Sequence, residues 1–221
     1  MLFNAIRLGF SGWYLGIWIL ASAVAFLCAI ILHEVAHAWT AYKNGDPSAK
    51  IAGRISLNPA KHLDPMGTLF LVFFPFGWAK PVPVNPFNYR NFRRGNFWVS
   101  IAGVTVNLIL GFVFSLFLYM MIRFDADINN FGFFALYSFL SSMVMINIAL
   151  MFFNLLPIYP LDGYNVLVSF TKPNNKYMQF VRQYSMFVFF GVLLLLSYTG
   201  FLWSAINGVI NGFMWFWGLI F

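Results

Sequence analysis

Residues 13–42, WYLGIWILASAVAFLCAIILHEVAHAWTAY, form one long apolar run whose last third contains His33, Glu34 and His37. A helix needs about 20 predominantly apolar residues to cross the hydrocarbon core of a bilayer. The sequence KNGDP at 43–47 follows the run and is a strong helix stop. The stretch therefore predicts a membrane-spanning helix that carries ionisable side chains within it.

The composition of the whole chain also indicates a membrane protein. Of its 221 residues, 61% are apolar, only 9% are charged and 29 are Phe, whereas soluble domains carry about 25% charged residues. We therefore expect an all-α polytopic membrane protein. The net charge of +7 suggests basic loops against anionic lipid and not nucleic-acid binding, because no basic stretch is interleaved with stacking aromatics. The single Cys28 excludes an intrachain disulfide and a thiolate metal site.

Further apolar segments complete the predicted architecture. Residues 97–122 and 131–156 are long enough to span, whereas residues 67–78 are too short for a spanning helix and suggest a re-entrant or β-hairpin element. Residues 184–221 contain no charge and would make a helix of about 57 Å, so we expect a break near Gly200. The chain is predicted to be one domain over residues 1–221, with a core at about 13–170 and C-terminal membrane segments at 184–221.

The basic residues indicate an orientation. Eight of the 13 Lys and Arg residues lie between positions 43 and 94, and three more lie between 172 and 182. With the predicted spans, both of these loops fall on one side of the membrane, and the positive-inside rule makes that side cytoplasmic.

The sequence His33-Glu34-Val35-Ala36-His37 has the HExxH pattern. On a helix, side chains at i and i+4 project from one face, so the two imidazoles can share one zinc ion. The Glu34 carboxylate could then take a proton from a metal-activated water molecule. The structural alternative is a buried Glu–His hydrogen bond that fixes helix packing, but it does not require a second His at i+4.

A zinc site with two His ligands needs a third protein ligand and leaves one position for water. Asp125 and Asp127 fall on the opposite side of the predicted membrane, and Asp46 lies in a turn where we expect a solvated loop or cap residue. Asp162 follows a proline-broken helix end between apolar segments, and irregular backbone at membrane depth is tolerated where it is buried or lines a cavity. We therefore prefer Asp162 as the third ligand, and its alternative role is that of a helix N-cap.

HExxH in a membrane helix, followed some 120 residues later by NLLPIYPLDG at 154–163, closely resembles the site-2 protease family of intramembrane zinc metalloproteases. The resemblance covers about residues 30–170 and includes GDP at 45–47, GRISLNP at 53–59, HLDPMG at 62–67, GWAKPVPVN at 77–85 and AGVTVN at 102–107.

This resemblance implies a three-helix catalytic core that binds one Zn²⁺ ion. By the family pattern, His33, His37 and Asp162 match the metal ligands and Glu34 matches the catalytic glutamate. Asn154 matches an asparagine of the third core helix that would position substrate or stabilise the oxyanion. No loop is long enough for a PDZ insertion and no tail for a CBS pair, so we expect a minimal member of the family.

The function implied is cleavage of peptide bonds within or near the transmembrane helices of membrane-protein substrates. The expected location is a prokaryotic cell membrane, with the active site towards the cytoplasm and a regulatory membrane partner or homo-oligomer as further partners. Two alternatives use the same ligands without proteolysis, namely a membrane metal-binding or transport protein and a non-catalytic relative that binds membrane helices. Transporters often show internal repeats, and none is visible here.

Overall fold

The structure is a computed structural model that describes residues 12–64, 66–67, 80–125, 127, 130–172 and 175–221. Over these residues the chain is helical and has no β-strand, which confirms the all-α prediction. The helices are α1 (Gly12–Lys43), α2 (Ser48–Ile51), α3 (Phe92–Arg123), α4 (Phe131–Leu155), α5 (Asp162–Phe170), α6 (Lys176–Gln183), α7 (Ser185–Thr199) and α8 (Phe201–Ile220).

Helices α1, α3 and α4 are each long and apolar enough to cross a membrane, in agreement with the three predicted spans. Helix α3 begins five residues before the predicted span at 97–122, because Asn91 caps its first turn by accepting a hydrogen bond from the Arg94 amide. Hydropathy identifies the part of a helix that lies in lipid, whereas capping decides where the helix begins.

The three long helices pack on one another, and α5 packs on α3. The buried face of α3 is rich in small and polar residues, which let neighbouring helix backbones approach closely in a membrane. At Gly111, for example, an added Cβ would lie 2.6 Å from Cδ1 of Ile148 on α4. Helices α1 and α4 are also joined by a buried hydrogen bond of 2.8 Å between the hydroxyls of Ser22 and Ser142.

The C-terminal segment breaks at the predicted position. Helix α7 ends at Thr199, Gly200 adopts a left-handed conformation with φ of 64°, and α8 begins at Phe201. Helix α8 packs against α3 and α4, where the Trp217 indole donates to Ser115 Oγ over 2.8 Å. Helices α6 and α7 meet at 90° and could together form a fourth span by length and composition.

The predicted re-entrant or β-hairpin element at 67–78 lies almost entirely outside the described residues. The extended segment that follows it, from residue 80 to the 3-10 turn Pro86–Asn88, is described and contacts the candidate site.

Candidate metal centre

Helix α1 presents His33 and His37 on one buried face. The side chains are 4% and 8% exposed, and their Nε2 atoms lie 3.0 Å apart. The spacing of four residues aligns the imidazoles on successive turns, so both Nε2 atoms point into the same space.

The side chain of Asp162, the first residue of α5, points into the same space. The sequence NLLPIYPL at 154–161 ends α4 and turns the chain, and α5 begins at Asp162. Its Oδ2 lies 3.3 Å from His33 Nε2 and 3.2 Å from His37 Nε2. The N-cap alternative for Asp162 is wrong, because Leu161 occupies the N-cap position and the cap has no side-chain hydrogen bond.

Gly163 allows Asp162 to sit so close to the end of α4. An added Cβ at Gly163 would lie 2.5 Å from the Leu156 carbonyl oxygen and would also clash with the carbonyl of Leu155. Because these neighbours are backbone atoms, they cannot move aside without shifting the chain.

The three converging atoms fit a metal ion. A tetrahedral zinc site with bonds of about 2.0–2.2 Å separates its ligand atoms by about 3.3–3.6 Å, close to the 3.0–3.3 Å separations of the two Nε2 atoms and Asp162 Oδ2. Asp162 Oδ2 is buried, and no described residue donates a hydrogen bond to it. Among the described residues, these side chains form the one group of three or more His, Cys, Asp or Glu with a metal-binding arrangement.

The hydrogen bonds on the far sides of the rings fix where the ring protons lie. His37 Nδ1 is 2.7 Å from the Val99 carbonyl oxygen, which can only accept, so a neutral His37 carries its proton on Nδ1 and has a lone pair on Nε2. His33 Nδ1 is 2.7 Å from Asn107 Oδ1 and is also a donor. Three electron-pair donors therefore converge, and a cation between them removes their repulsion.

The polarity of the Asn107 contact is set by a chain of amides. Asn147 Nδ2 donates to the Met143 carbonyl over 2.8 Å, so the Asn147 Oδ1 must face Asn107. That oxygen accepts from Asn107 Nδ2 over 3.0 Å, which turns the Asn107 oxygen towards His33. One backbone carbonyl on α4 thus fixes the tautomer of a side chain on α1.

Helix α3 supports the site along one face. Gly103 lies against both imidazole rings, since an added Cβ would lie 2.5 Å from His33 Cε1 and 2.5 Å from His37 Nε2. One end of α5 is attached to the same helix, because Asn96 Nδ2 donates to the Asn165 carbonyl over 2.6 Å and to Ser169 Oγ over 2.9 Å.

Glu34 lies on α1 between the candidate ligands His33 and His37 and is half-buried. Its Oε2 accepts a hydrogen bond of 3.1 Å from the backbone amide of Val82. The carboxylate is therefore held by a neutral donor from a different segment of the chain.

Asn154 stands apart from this hydrogen-bond network. Its side-chain amide donates to the Leu150 carbonyl, one turn earlier in α4, over 3.1 Å. Its role towards substrate stays a prediction.

The expectation that Asp46 is solvated is wrong. Asp46 is fully buried, and its carboxylate accepts hydrogen bonds from the Asn85 amide, the Asn88 side chain and both the amide and hydroxyl of Ser48. Burial alone would raise the pKa of Asp46, but these hydrogen bonds outweigh it and hold the pKa below its usual value. The turn after α1 is thereby tied to the segment at 80–88.

Sequence reasoning missed the supporting roles of Asn107, Asn147 and the Val99 carbonyl. A signal existed for the two asparagines, because polar side chains inside long apolar helices are expensive and tend to mark functional sites. The Val99 contact uses a backbone atom and leaves no mark on the sequence.

The chain is similar to known proteins of one family. The model of Peptidase family M50 matches residues 120–197. "Putative zinc metalloprotease YwhC" of Bacillus subtilis is 37% identical over 185 residues, covering 83% of this chain and 84% of that protein. "Putative zinc metalloprotease Rip2" of Mycobacterium tuberculosis is 29% identical over 214 residues, covering 94% of this chain and 74% of that protein. No solved structure matches the chain.

Proposed function

From its membership of peptidase family M50, the site-2 protease family, to which this chain belongs, we propose that the protein is a zinc-dependent intramembrane endopeptidase. Its substrates would be membrane proteins, cleaved within or near a transmembrane helix. The metal is zinc, in line with the names of the relatives and with the donor set of two imidazoles and one carboxylate.

One observation carries the proposal, namely the convergence of His33 Nε2, His37 Nε2 and Asp162 Oδ2 within 3.0–3.3 Å. Two of these ligands lie on a helix long enough to cross a membrane. Three protein ligands leave a tetrahedral metal with one open position, which is the arrangement of catalytic sites and not of closed structural ones.

When bound, zinc lowers the pKa of a coordinated water molecule towards about 7 and polarises a carbonyl group. Glu34 is the general base that accepts the proton of the attacking water. The same carboxylic acid then delivers that proton to the amide nitrogen that leaves, so the carboxylate is regenerated after each turnover. His33 and His37 keep their Nδ1 protons throughout, because Asn107 and the Val99 carbonyl hold them.

The membrane setting constrains the substrate. The carbonyls of a helix are hydrogen-bonded and shielded by side chains, so a substrate helix has to unwind beside the site. We propose that Asn154 contacts the unwound strand. The distribution of Lys and Arg favours a cytoplasmic site, and the bacterial relatives favour a bacterial cell membrane.

The two rival functions use the ligands differently. A transport protein would need further ionisable groups along a path through the membrane, but in the described part of the chain the candidate metal ligands form a single cluster. A non-catalytic helix-binding relative would need Glu34 only as an acceptor for the Val82 amide, whereas hydrolysis also needs a carboxylate that accepts a proton.

The test is cleavage by the purified protein in lipid vesicles. The probe is a panel of model transmembrane peptides with a fluorophore and a quencher on opposite sides of the apolar segment. We expect the wild-type protein to cleave at least one peptide, and Glu34→Gln to bind zinc equally but to lose cleavage. Cleavage by zinc-loaded Glu34→Gln at the wild-type rate would remove Glu34 from its role, and no cleavage by the wild type would contradict the proposed function.

A further inference from the structure

The segment at 80–86, Lys-Pro-Val-Pro-Val-Asn-Pro, runs past α1 next to the candidate site. Proline fixes its own φ near −65° and restricts the residue before it to extended conformations. With prolines at three of seven positions, the segment is stiff before any tertiary contact is made. Proline also has no amide hydrogen, so only four residues of the segment have an N–H group to donate.

Three of these four N–H groups have acceptors. Lys80 donates to the His62 carbonyl over 2.8 Å, and Asn85 donates to Asp46 Oδ2 over 2.6 Å. Between them, Val82 donates to Glu34 Oε2 over 3.1 Å. The fourth group, the N–H of Val84, has no acceptor among the residues that the structure describes. The contact with Glu34 is therefore flanked by two anchoring hydrogen bonds.

A buried cation secures the end of the segment nearest Glu34. The guanidinium of Arg54, itself only 7% exposed, donates to the Lys61 carbonyl. It also makes longer contacts of 3.4 Å and 3.5 Å with the Lys80 and Pro81 carbonyls. Arg54 thus bridges the 3-10 turn at 59–61 and the two residues that precede Val82.

Side-chain packing fixes Val82 in the remaining direction. The Val82 side chain is buried against Ala38 on α1 and Ala49 on α2. Since alanine side chains are small, the segment can approach the helix closely at this point. The amide of Val82 is consequently held by its neighbours on both sides and by its own side chain.

We propose that the backbone amide of Val82 is a positioning group for Glu34, and that Arg54 and Asp46 are positioning residues that hold it in place. By occupying Oε2, the amide selects one rotamer of a flexible, half-buried side chain. Oε1 is then left to accept the proton of the attacking water. This inference rests on the proposed function of Glu34 as the general base.

The expected effect is on turnover. Loss of an outer-shell hydrogen bond at a metal site typically lowers activity or metal affinity by about 10–100-fold. Because the Val82 amide contacts the base and none of the three ligands, we expect kcat to fall by about that factor while KM and the zinc content stay unchanged.

The chain offers a matched pair of variants. Val82→Pro removes the N–H that faces Glu34, and Val84→Pro removes the N–H that has no acceptor, two residues away in the same segment. Each change makes the segment more proline-rich by one residue. With the model peptide that the wild type cleaves best, we expect Val82→Pro to lose kcat and Val84→Pro to keep it. Equal kcat for the two variants, with equal zinc content, would overturn the proposal.

A second measurement covers the case in which Val82→Pro does not fold. Amide hydrogen exchange at Val82, followed by NMR of protein labelled with ¹⁵N-valine, needs no substrate. We expect Glu34→Ala to speed exchange at Val82 by at least about tenfold and Glu34→Gln, which keeps an acceptor oxygen, to change it much less. Unchanged exchange in Glu34→Ala would overturn the positioning role.

The two failures are distinguishable. If zinc-loaded Glu34→Gln still cleaves peptide, the proposed function of Glu34 is wrong whatever Val82 does. If Glu34→Gln is inactive but Val82→Pro matches Val84→Pro, the function stands and the positioning inference is wrong.

Discussion

Asn107 Oδ1 on α3 lies 2.7 Å from His33 Nδ1 on α1. The side-chain nitrogen of Asn107 donates a hydrogen bond to Asn147 Oδ1 on α4. Residues of all three long helices therefore take part in the hydrogen bonds that orient His33, one of the proposed metal ligands. A ligand whose ring is fixed in this way loses less freedom when it binds metal, and its Nε2 is a better electron donor.

Replacing Asn107 by Ala should weaken zinc binding by about 10–100-fold, because His33 loses the acceptor that fixes its tautomer. The affinity can be measured by competition with a chromogenic chelator. The control is Asn207→Ala on α8, where the side chain donates to the Trp203 carbonyl of its own helix and to no other described residue. A zinc affinity equal to that of the control would contradict the role of Asn107.

Gly103→Ala should abolish stoichiometric zinc binding, since the new methyl group would occupy space within 2.5 Å of both His rings. Gly208→Ala is the matched change, because no described atom beyond the adjacent residues and the nearby backbone of its own helix lies within 4 Å of an added Cβ there. The control should bind zinc normally and gain about 0.5–1 kcal/mol from helix propensity. Full zinc occupancy in Gly103→Ala would show that α3 lies further from the ligands than described.

Asp46 should make the fold sensitive to acid. Its pKa is lowered in the folded state from a reference of 3.8, so its contribution to stability is present above about pH 4 and is lost as the pH falls through the folded pKa. Asp46→Asn should cost about 1–3 kcal/mol at pH 7, because at least one buried donor loses a charged acceptor. The penalty should shrink on acidification.

Thermal unfolding in detergent at pH 7 and near pH 3 measures this effect. The control is Asp125→Asn, in the exposed turn after α3, which should change the melting temperature little at either pH. If Asp46→Asn lowered the melting temperature equally at both pH values, its effect would come from packing and not from charge.

Trp217→Phe should lower stability without affecting the metal, because the hydrogen bond of 2.8 Å from its indole to Ser115 joins α8 to α3. Hydrogen bonds between membrane helices average about 0.6 kcal/mol, so the expected change is small. Trp215→Phe, at a position that is 68% exposed, provides the baseline. A loss of zinc in Trp217→Phe would mean that α8 supports the site directly.

The sequence predicted the parts of this fold that depend on local pattern. Long apolar runs located α1, α3 and α4. The uncharged C-terminal stretch is too long for one crossing, and this length predicted the break at Gly200. Helical spacing alone placed His33 and His37 on one face. The positions of Asp46 and Asn107 depend on which distant segments pack against them, and no local pattern contains that information. Asp46 was expected to be a solvated loop or cap residue because it follows a helix in a KNGDP turn, but the segment at 80–88 covers it and keeps it from solvent.

The central claim is that His33, His37 and Asp162 hold one zinc ion. X-ray absorption at the zinc edge of the purified, zinc-loaded protein tests it most directly. The account predicts a first shell of nitrogen and oxygen atoms at about 2.0–2.2 Å, with outer-shell scattering from two imidazole rings. A shell that contains sulfur, or one with fewer than two imidazoles, would contradict it.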